Sequence, residues 1–391
     1  MIPIRYNIRS LTVRKRTTAA AVFGIALVVC VMAIALMLSE GIQRTLGKSG
    51  FPENAIVLRK GSDTELTSGI QETQVGLVLA APGVQKNAQG IPIGVGEVIV
   101  VSSLPKKGEA LDGSISNVQM RGVPDNVLEF RPMVKIIAGR MFKPGTDEVI
   151  VGVSIRGRFE GLDLDESFPV KKARSLKVVG VFEASGASFE SEVWADKDTI
   201  RTSFGRESMV SSVSVKLESP SKFDAFEAVV EQDKQLGLEA QREEVYFEKQ
   251  SEASAAFLTG LGMMISFFFS IAAMIGAMIT MYAQVSNRSR EIGTLRAIGF
   301  SKPAILFSFL MESTVLAIAG GVLGALASIP MVFVKFSMMN FVSFSEIVFS
   351  FTPTPQILMT AVFFAAGMGL VGGFFPAIRA SRVSPIKAMR G

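Results

Sequence analysis

The residue types that perform most enzyme chemistry are almost missing from this 391-residue sequence. Histidine is absent and Cys30 is the only cysteine. This excludes Ser-His-Asp and Cys-His nucleophiles, His/Cys zinc sites and an intrachain disulfide. Cys30 lies in an apolar run, where a cysteine packs as a small hydrophobic side chain. The acid cluster Asp163, Asp165 and Glu166 lacks the central glycine and terminal glutamate of a calcium loop, so we interpret it as a solvated turn.

Glu312 is the one charged residue between Lys302 and Lys335, a stretch otherwise apolar enough to cross a membrane. A charge in such a position is costly and marks a functional site by default. A proton relay needs further ionisable groups, and the apolar segments supply none. The sequence therefore favours pairing of Glu312 with a basic residue or a hydroxyl on a neighbouring helix.

A short charged stretch that precedes this segment carries the other candidates. In a helix, Arg290, Glu291 and Thr294 would lie within about one turn of each other. Gly299 would end that helix and Pro303 would begin the next. A compact charged helix between two spans can pass on a push from a partner protein, but a basic loop also follows from membrane topology alone. The residues by themselves leave both interpretations open.

Four apolar segments are long enough to cross a bilayer, which takes about 20 residues. Residues 17–39 contain no charge, and they exceed the roughly 7–15 residues of a signal-peptide core, so a retained helix is favoured. No charge occurs between Glu252 and Arg288, or between Glu346 and Arg379. The third segment is the one that holds the lone acid described above.

Basic residues predict the orientation of these helices. Residues 1–16, 284–303 and 379–391 together carry 13 basic residues and one acid, whereas 335–355 hold one of each. The positive-inside rule places both termini and the 284–303 loop in the cytoplasm. Residues 40–256 are then extracytoplasmic, with 26 basic and 32 acidic residues. The basic balance of the chain therefore reflects its cytoplasmic edges and lipid contacts, and no nucleic acid is expected as a partner.

The segment between the first and second spans is long enough to fold by itself. Alternating apolar and polar residues at 211–217 predict a half-buried strand, and helix-like spacing follows at 222–236. Further β-rich runs lie at 55–59, 97–101, 147–153 and 176–182. The mixture predicts an α+β domain, of which the 211–217 strand and the 222–236 helix could form a second part.

These observations predict an α-helical membrane protein with four transmembrane helices and a large α+β extracytoplasmic domain inserted between the first and second. Two G-x-x-x-G pairs, Gly320 with Gly324 and Gly369 with Gly373, permit close helix packing within one subunit or across a dimer. The predicted segments are a cytoplasmic amphipathic stretch (1–16), the first span (17–39), the extracytoplasmic domain (40–256), the second span (257–283), a cytoplasmic loop (284–303), the third span (304–334), an extracytoplasmic loop (335–355), the fourth span (356–378) and a cytoplasmic tail (379–391).

Several stretches resemble one known family. NRSREIGTLRAIGF at 287–300 looks like the cytoplasmic loop of FtsX-type permeases, and FFPAIRASRVSPIKAMRG from Phe374 is similar to that family's ending. With the order of one span, a large domain and three spans, the chain resembles the permease subunits of ABC transporters of the MacB/FtsX/LolC type. The motifs similar to the MacB-type periplasmic core domain are VQMRGVPDN at 118–126, AGRMF at 138–142, EVIVG at 148–152 and LKVVGVFEA at 176–184.

The resemblance implies that the loop after the second span is a coupling helix that docks on an ABC ATPase. The sequence has no G-x-x-x-x-G-K-S/T phosphate loop, so we expect a partner subunit to bind ATP and Mg²⁺. No catalytic, cofactor or metal site is expected on this chain. Here the sequence departs from MacB-type proteins that carry the nucleotide-binding domain on the same chain. The ATPase-contacting residues would be Arg288, Arg290, Glu291, Thr294, Arg296 and Gly299, joined by Arg379, Arg382 and Pro385 of the tail.

We therefore expect a permease subunit of the bacterial cytoplasmic (inner) membrane that uses a partner's ATP hydrolysis to move its extracytoplasmic domain. A substrate would be exported, or extracted from the outer leaflet or periplasm. The alternative is an FtsX-like relay that activates an extracytoplasmic enzyme and transports nothing. Because the domain resembles those of MacB and LolC more than the smaller FtsX domain, we favour transport over the relay. Expected partners are the ABC ATPase, a second permease copy or paralogue, membrane lipid, and a periplasmic adaptor, lipoprotein or extracytoplasmic enzyme.

Overall fold

The chain folds into two compact units. One unit contains the long apolar helices, and the other consists of Gly41–Ala255 and Lys335–Ser350. The predicted amphipathic segment 1–16 lies outside the described residues except for its last two positions, and Pro385 also lies outside them. The computed structural model describes residues 15–108, 114–171, 174–232 and 236–384.

The helices of the described residues, in chain order, are α1 (Lys15–Gly47), α2 (Glu72–Leu79), α3 (Val127–Phe130), α4 (Lys197–Phe204), α5 (Phe223–Gln232), α6 (Glu243–Asn287), α7 (Ser289–Ala297), α8 (Lys302–Ser328) and α9 (Pro355–Ser381). Four of them, α1, α6, α8 and α9, are long and apolar enough to cross a membrane, which confirms the predicted four spans.

Helix α6 begins earlier than hydropathy indicates. The apolar run starts at 257, whereas the helix starts at Glu243, and its residues up to Ala255 belong to the unit that contains the sheet. These first turns carry several charged residues, which are costly inside a bilayer. The apolar run therefore marks only the part of a longer helix that is suited to lipid.

The membrane helices pack closely because glycine removes side chains from their contacts. A Cβ atom on Gly320 would lie 2.8 Å from the carbonyl oxygen of Val22 in α1, and one on Gly324 would collide with Ala26. A Cβ on Gly369 of α9 would lie 2.9 Å from the carbonyl oxygen of Ser313 in α8. Both G-x-x-x-G pairs therefore serve packing within this chain, one of the two alternatives that the sequence left open.

The second unit is built on one large mixed sheet. The strands of the described residues are β1 (Asn54–Arg59), β2 (Ile70–Gln71), β3 (Gly94–Pro105), β4 (Ile115–Val123), β5 (Lys135–Gly139), β6 (Glu148–Gly152), β7 (Ser167–Lys171), β8 (Arg174–Glu183), β9 (Glu192–Asp196), β10 (Met209–Val210), β11 (Ser212–Lys216), β12 (Leu238–Arg242), β13 (Lys335–Met339) and β14 (Glu346–Ser350). The strand order of the large sheet is β12-β1-β11-β3-β4-β9-β6-β8-β5, and β7 pairs with β8. Two further pairs, β2 with β10 and β13 with β14, form small antiparallel sheets.

The predicted 211–217 strand corresponds to β11, but it is not half-buried. Val213 and Val215 lie in the apolar core, and Ser212 and Ser214 are completely buried as well. Since successive side chains point to opposite faces of a strand, both faces of the sheet are covered here. The hydroxyl of Ser212 donates to Glu65 at 2.6 Å, which introduces the polar face described below.

Residues 335–355, predicted as a loop, instead contain the hairpin of β13 and β14, which belongs to the sheet unit. Glu346 is 3% exposed and forms ion pairs with Lys106 at 3.2 Å and Arg158 at 3.3 Å. The amide of Val348 donates to Ser191 at 3.0 Å. The segment was predicted as a simple connection between two spans. Its contacts with the sheet unit instead accompany a regular hairpin.

Candidate functional site

Helix α7 is the short element between the second and third membrane helices, and it carries most of the predicted coupling residues. Ile292 on this helix is 1% exposed. It packs in an apolar cluster with Met281 of α6, Ile305 and Phe309 of α8 and Ala377 of α9. The helix is therefore fixed to the ends of three membrane helices along one of its faces.

The end of α7 follows the predicted glycine signal. Gly299 has φ +110°, a left-handed conformation that few other residues adopt at low cost. Arg296 donates to the carbonyl oxygen of Phe300 at 3.1 Å and so supports this turn. The next helix begins after Ser301, whose hydroxyl accepts from the amide of Ala304, with proline in its first turn as expected.

Arg288, which precedes α7, has a buried side chain. Its side chain is 6% exposed, and its guanidinium lies 3.1 Å from the carboxylate of Glu312 in α8. It also lies 3.1 Å from Glu291 and packs over the ring of Phe309. The basic partner predicted for Glu312 is thus Arg288, and this buried pair ties the start of α7 to the third membrane helix.

The opposite face of α7 is exposed. It presents Arg290, Glu291 and Thr294, and the hydroxyl of Thr294 donates to the backbone of Arg290 at 3.0 Å. Ile298, at the end of the helix, is 72% exposed. Ile298 was not among the predicted contact residues, although an aliphatic residue beside a helix-ending glycine was a usable signal.

The tail residues are only partly brought to this site. Arg379 of α9 is exposed and its guanidinium lies 5.5 Å from the ring centre of Tyr282 in α6, a cation–π contact. Arg382 caps the end of α9 and is exposed. Pro385 lies outside the described residues.

A second polar centre, which the sequence analysis missed, lies inside the sheet unit. Arg121 of β4 is 1% exposed and contacts three carboxylates: Glu97 at 2.8 Å, Glu192 at 2.7 Å and Glu65 at 3.1 Å. Arg131, 2% exposed, extends the set by binding Glu97 at 3.1 Å and Glu243 at 3.0 Å. We call these residues the charge cluster: Glu65, Glu97, Arg121, Arg131, Glu192 and Glu243.

The charge cluster follows from strand alternation. Val98 of β3, Met120 of β4 and Val193 of β9 point into the apolar core. Their neighbours Glu97 and Arg121 therefore point to the other face of the sheet. That face is covered rather than solvated, since the guanidinium of Arg121 lies 5.1 Å from the ring centre of Phe189. Charged residues that alternate with apolar ones in a strand normally indicate a solvated face. The cluster could therefore not be recognised from the sequence.

Burial and charge act against each other within the cluster. Burial raises the pKa of Glu97, but Arg131 and Arg121 outweigh this effect and hold that pKa below its ordinary value. For Glu192, burial outweighs Arg121, and its pKa is raised. Burial lowers the pKa of Arg121, yet Glu192, Glu65 and Glu97 raise it well above the ordinary value. Arg121 therefore remains charged.

The cluster offers little chemistry beyond ion pairing. Its carboxylates are occupied by guanidinium groups and by donors such as the indole of Trp194, which lies 2.7 Å from Glu192. In the described part of the chain, no group of three or more His, Cys, Asp or Glu side chains is arranged to hold a metal ion. Buried ion pairs of this kind fix the relative positions of the segments that they join, because separating a pair leaves an uncompensated charge in the interior.

Two family models match the sequence of the chain. Residues 17–233 match the MacB-like periplasmic core domain, and residues 263–385 match the FtsX-like permease C-terminal domain. The first match alone covers more than half of the chain. The chain belongs to the MacB/FtsX family of ABC transporter permeases. The α+β unit of this MacB/FtsX-type permease is accordingly an extracytoplasmic domain inserted between its first two membrane helices.

Two relatives of the permease show how far the sequence similarity extends. The macrolide export ATP-binding/permease protein MacB of Escherichia coli (strain K12) is 27% identical over 227 residues, which are 54% of this chain and 33% of that protein. The uncharacterized ABC transporter permease YvrN of Bacillus subtilis (strain 168) is 36% identical over 118 residues, 29% of this chain and 26% of that protein. The permease thus matches about a third or less of the length of these relatives.

Two solved structures of extracytoplasmic regions match the chain with low TM-scores. The periplasmic region of MacB from Actinobacillus actinomycetemcomitans gives a TM-score of 0.38 at 10% identity and covers 52% of this chain and 94% of its own. The extracellular domain of the ABC-type transporter YknZ from Gram-positive bacteria gives 0.36 at 17% identity, with 48% of this chain and 99% of its own covered.

Proposed function

We propose that this permease couples ATP hydrolysis by a separate ATPase subunit to movements of its extracytoplasmic domain, and that a substrate is thereby exported or extracted from the outer leaflet or periplasm. The observation that carries the proposal is the way in which α7 is attached to the membrane helices. One side of this helix is fixed by Ile292 and by the pair of Arg288 with Glu312, while its polar side is exposed. A short helix held in this way can receive a push from a partner and pass it to three membrane helices.

The membrane helices support a lever action rather than a polar channel. A hydrated path needs polar groups near the middle of the membrane, whereas glycine brings α1, α8 and α9 into close contact. Helices α1 and α6 continue without a break from the membrane unit into the extracytoplasmic domain. Movement of these two helices would therefore reach the domain directly, and the substrate would be handled outside the bilayer.

Binding of the ATPase is expected to depend on the exposed face of α7. The purified chain should hydrolyse no ATP, and an ATPase subunit should co-purify with it from its native membrane. Ile298→Asp and Glu291→Lys are each expected to weaken that association by about 2 kcal/mol, the size of an interface hot spot. Retention of the ATPase on an affinity-tagged permease measures the effect.

A matched control is Lys302→Glu, which reverses an exposed charge just after α7 and should leave the association intact. If Ile298→Asp and the double variant Arg290→Glu with Glu291→Lys both retain the ATPase at the level of the unmodified permease, α7 is not the coupling element.

The proposal also requires α7 and both termini to face the cytoplasm, as the positive-inside rule predicts. With Cys30 replaced by alanine, single cysteines at the exposed positions Lys60 and Ala297 should differ in reactivity toward a membrane-impermeant thiol reagent. In intact cells, Lys60→Cys should be labelled and Ala297→Cys should not, and permeabilisation should expose the second site. Labelling of Ala297→Cys in intact cells would reverse the topology and remove the basis for an ATPase contact at α7.

Transport and signal relay can be separated in reconstituted vesicles. ATP-dependent release of a lipophilic or lipid-linked compound to the extracytoplasmic side would support transport. ATP-dependent activation of an added extracytoplasmic hydrolase, without movement of any compound, would favour the relay.

A further inference from the structure

Glu243 occupies an unusual position for a glutamate, since it is the first residue of α6 and is completely buried. Its carboxylate accepts from Arg131 at 3.0 Å, from the side chain of Asn54 at 2.8 Å and from the amide of Phe51 at 3.3 Å. A negative side chain is favourable at a helix start, but the helix end alone does not require burial. Glu243 instead attaches the start of α6 to other parts of the domain.

The attachment continues through the charge cluster to the centre of the sheet. Arg131 bridges Glu243 and Glu97 of β3, and Glu97 in turn binds Arg121 of β4. Arg121 then binds Glu192 of β9. A continuous set of ion pairs therefore connects the first residue of α6 to three adjacent strands.

The next turn of α6 is held by the same centre. The hydroxyl of Tyr246, itself 2% exposed, accepts from the amide of Glu65, a member of the cluster. The ring of Phe247 packs edge-on against Phe189, the ring that lies under both arginines of the cluster. Two consecutive turns of the helix are thus tied to the cluster by polar and by aromatic contacts.

The end of α1 is attached differently, although α1 also continues into the domain. Just beyond α1, Ser49 shares a hydrogen bond of 2.7 Å with the hydroxyl of Ser188, and Lys48 donates to the carbonyl oxygen of Ser185 at 3.0 Å. These bonds involve no carboxylate. Phe51, four residues beyond α1, also donates its amide to Glu243, but the ion pair with Arg131 belongs to α6 itself.

Stability alone gives little reason to bury six charged groups. Well-packed apolar residues often stabilise a core as much as a buried ion pair does, or more. Ion pairs differ in being directional, and detaching one partner leaves an uncompensated charge in the interior. Ion pairs therefore resist the separation of two elements when one of them is pulled. Apolar packing also resists separation, but with less geometric specificity.

We propose that Glu243 is a positioning residue that anchors helix α6 to the sheet, so that movement of the second membrane helix is passed to the extracytoplasmic domain through the charge cluster. This inference rests on the proposed function for the source of the movement. The anchor itself is a property of the chain and can be tested without ATP.

The test uses the full-length permease in lipid nanodiscs, with Cys30→Ala and nitroxide labels on Lys60→Cys and Glu252→Cys, two exposed sites on the domain and on α6. In the parent protein, pulsed electron–electron double resonance should give one dominant distance between the two labels. Glu243→Gln removes the charge but keeps the size of the side chain. It is expected to raise the population at other distances by about tenfold, the factor for losing one charge-assisted hydrogen bond. Glu248→Gln, an exposed glutamate on the same helix, should leave the distribution unchanged.

Folding is monitored by Trp194, the only tryptophan, which is buried against Glu192 in the cluster. If Glu243→Gln shifts its fluorescence to that of an unfolded chain, the double variant Arg131→Met with Glu243→Leu replaces it, because removing both charges together is tolerated better than removing one. A folded variant with the same single distance as the parent overturns the anchor.

A second measurement separates the anchor from the proposed function. With Mg-ATP and the co-purified ATPase, hydrogen exchange in the domain should change in the parent, and Glu243→Gln should lose this change while ATP hydrolysis continues. An ATP-dependent change that persists in Glu243→Gln contradicts transmission through the anchor. Absence of any change in the parent contradicts the proposed function, while the distance measurement still decides whether Glu243 is an anchor.

Discussion

Replacement of Arg121 with methionine is expected to destabilise the extracytoplasmic domain more than any other single change in the charge cluster. Methionine fills a similar volume but leaves Glu65, Glu97 and Glu192 without their shared partner in a buried site. Breaking one buried pair costs about 3–5 kcal/mol, a large part of the roughly 5–15 kcal/mol that stabilises a typical domain. At about 2–4 °C per kcal/mol for a domain of this size, thermal unfolding followed by Trp194 fluorescence should shift by about 6–20 °C.

Arg140→Met provides the matched control for this prediction. Arg140 is also bound to a carboxylate, that of Glu148 at 2.5 Å, but its side chain is 49% exposed. An exposed pair of this kind contributes about 0–1 kcal/mol, so the unfolding temperature should change by a few degrees at most. Equal effects of Arg121→Met and Arg140→Met would show that burial of the cluster does not determine its contribution.

Replacement of Glu312 with leucine is expected to have the largest effect in the membrane unit. Arg288 would keep its buried position without the carboxylate that lies 3.1 Å away, at a cost of about 3–5 kcal/mol. We expect a lower yield of folded protein and loss of the co-purifying ATPase, because α7 would lose the ion pair that ties its start to the third membrane helix. Thermal stability in detergent and retention of the ATPase measure the two effects separately.

Two further variants show whether the buried pair is responsible. Glu291→Gln removes the other carboxylate that contacts Arg288, and since its side chain is 58% exposed the stability cost should stay below about 1 kcal/mol. Arg288→Met combined with Glu312→Leu removes both buried charges and should recover most of the stability lost in Glu312→Leu. A double variant as unstable as the single one would mean that Glu312 acts through a contact other than Arg288.

Membrane segments were predictable from sequence because their signal is local. An uninterrupted apolar run is sufficient to identify a span, and the stop at Gly299 follows from the backbone freedom of a single residue. The lone acid in the third segment also had a predictable need for a partner. That the partner is Arg288 required the structure, since a basic residue at the edge of a loop satisfies the positive-inside rule equally well.

The charge cluster inside the domain could not be predicted, because it depends on residues that are far apart in the sequence. The members of the charge cluster lie on separate segments of the chain, two of them outside any helix or strand, and Glu65 and Glu243 are separated by most of the domain. Taken alone, Arg121 in an alternating strand is typical of a solvated face. Only the pairing of β3 with β4 and of β4 with β9 brings Glu97, Arg121 and Glu192 together. Strand order of this kind is not contained in local periodicity.

The hairpin of β13 and β14 has a consequence for the order in which the protein is made. Glu346, the partner of Lys106 and Arg158, follows the last strand of the large sheet by about a hundred residues. At roughly 5–20 residues per second, the ribosome would add it about 5–20 s after that sheet is complete, once the second and third membrane helices have been synthesised. The domain therefore begins to fold while one of its buried carboxylates is still missing, and insertion of the third helix delivers its final piece.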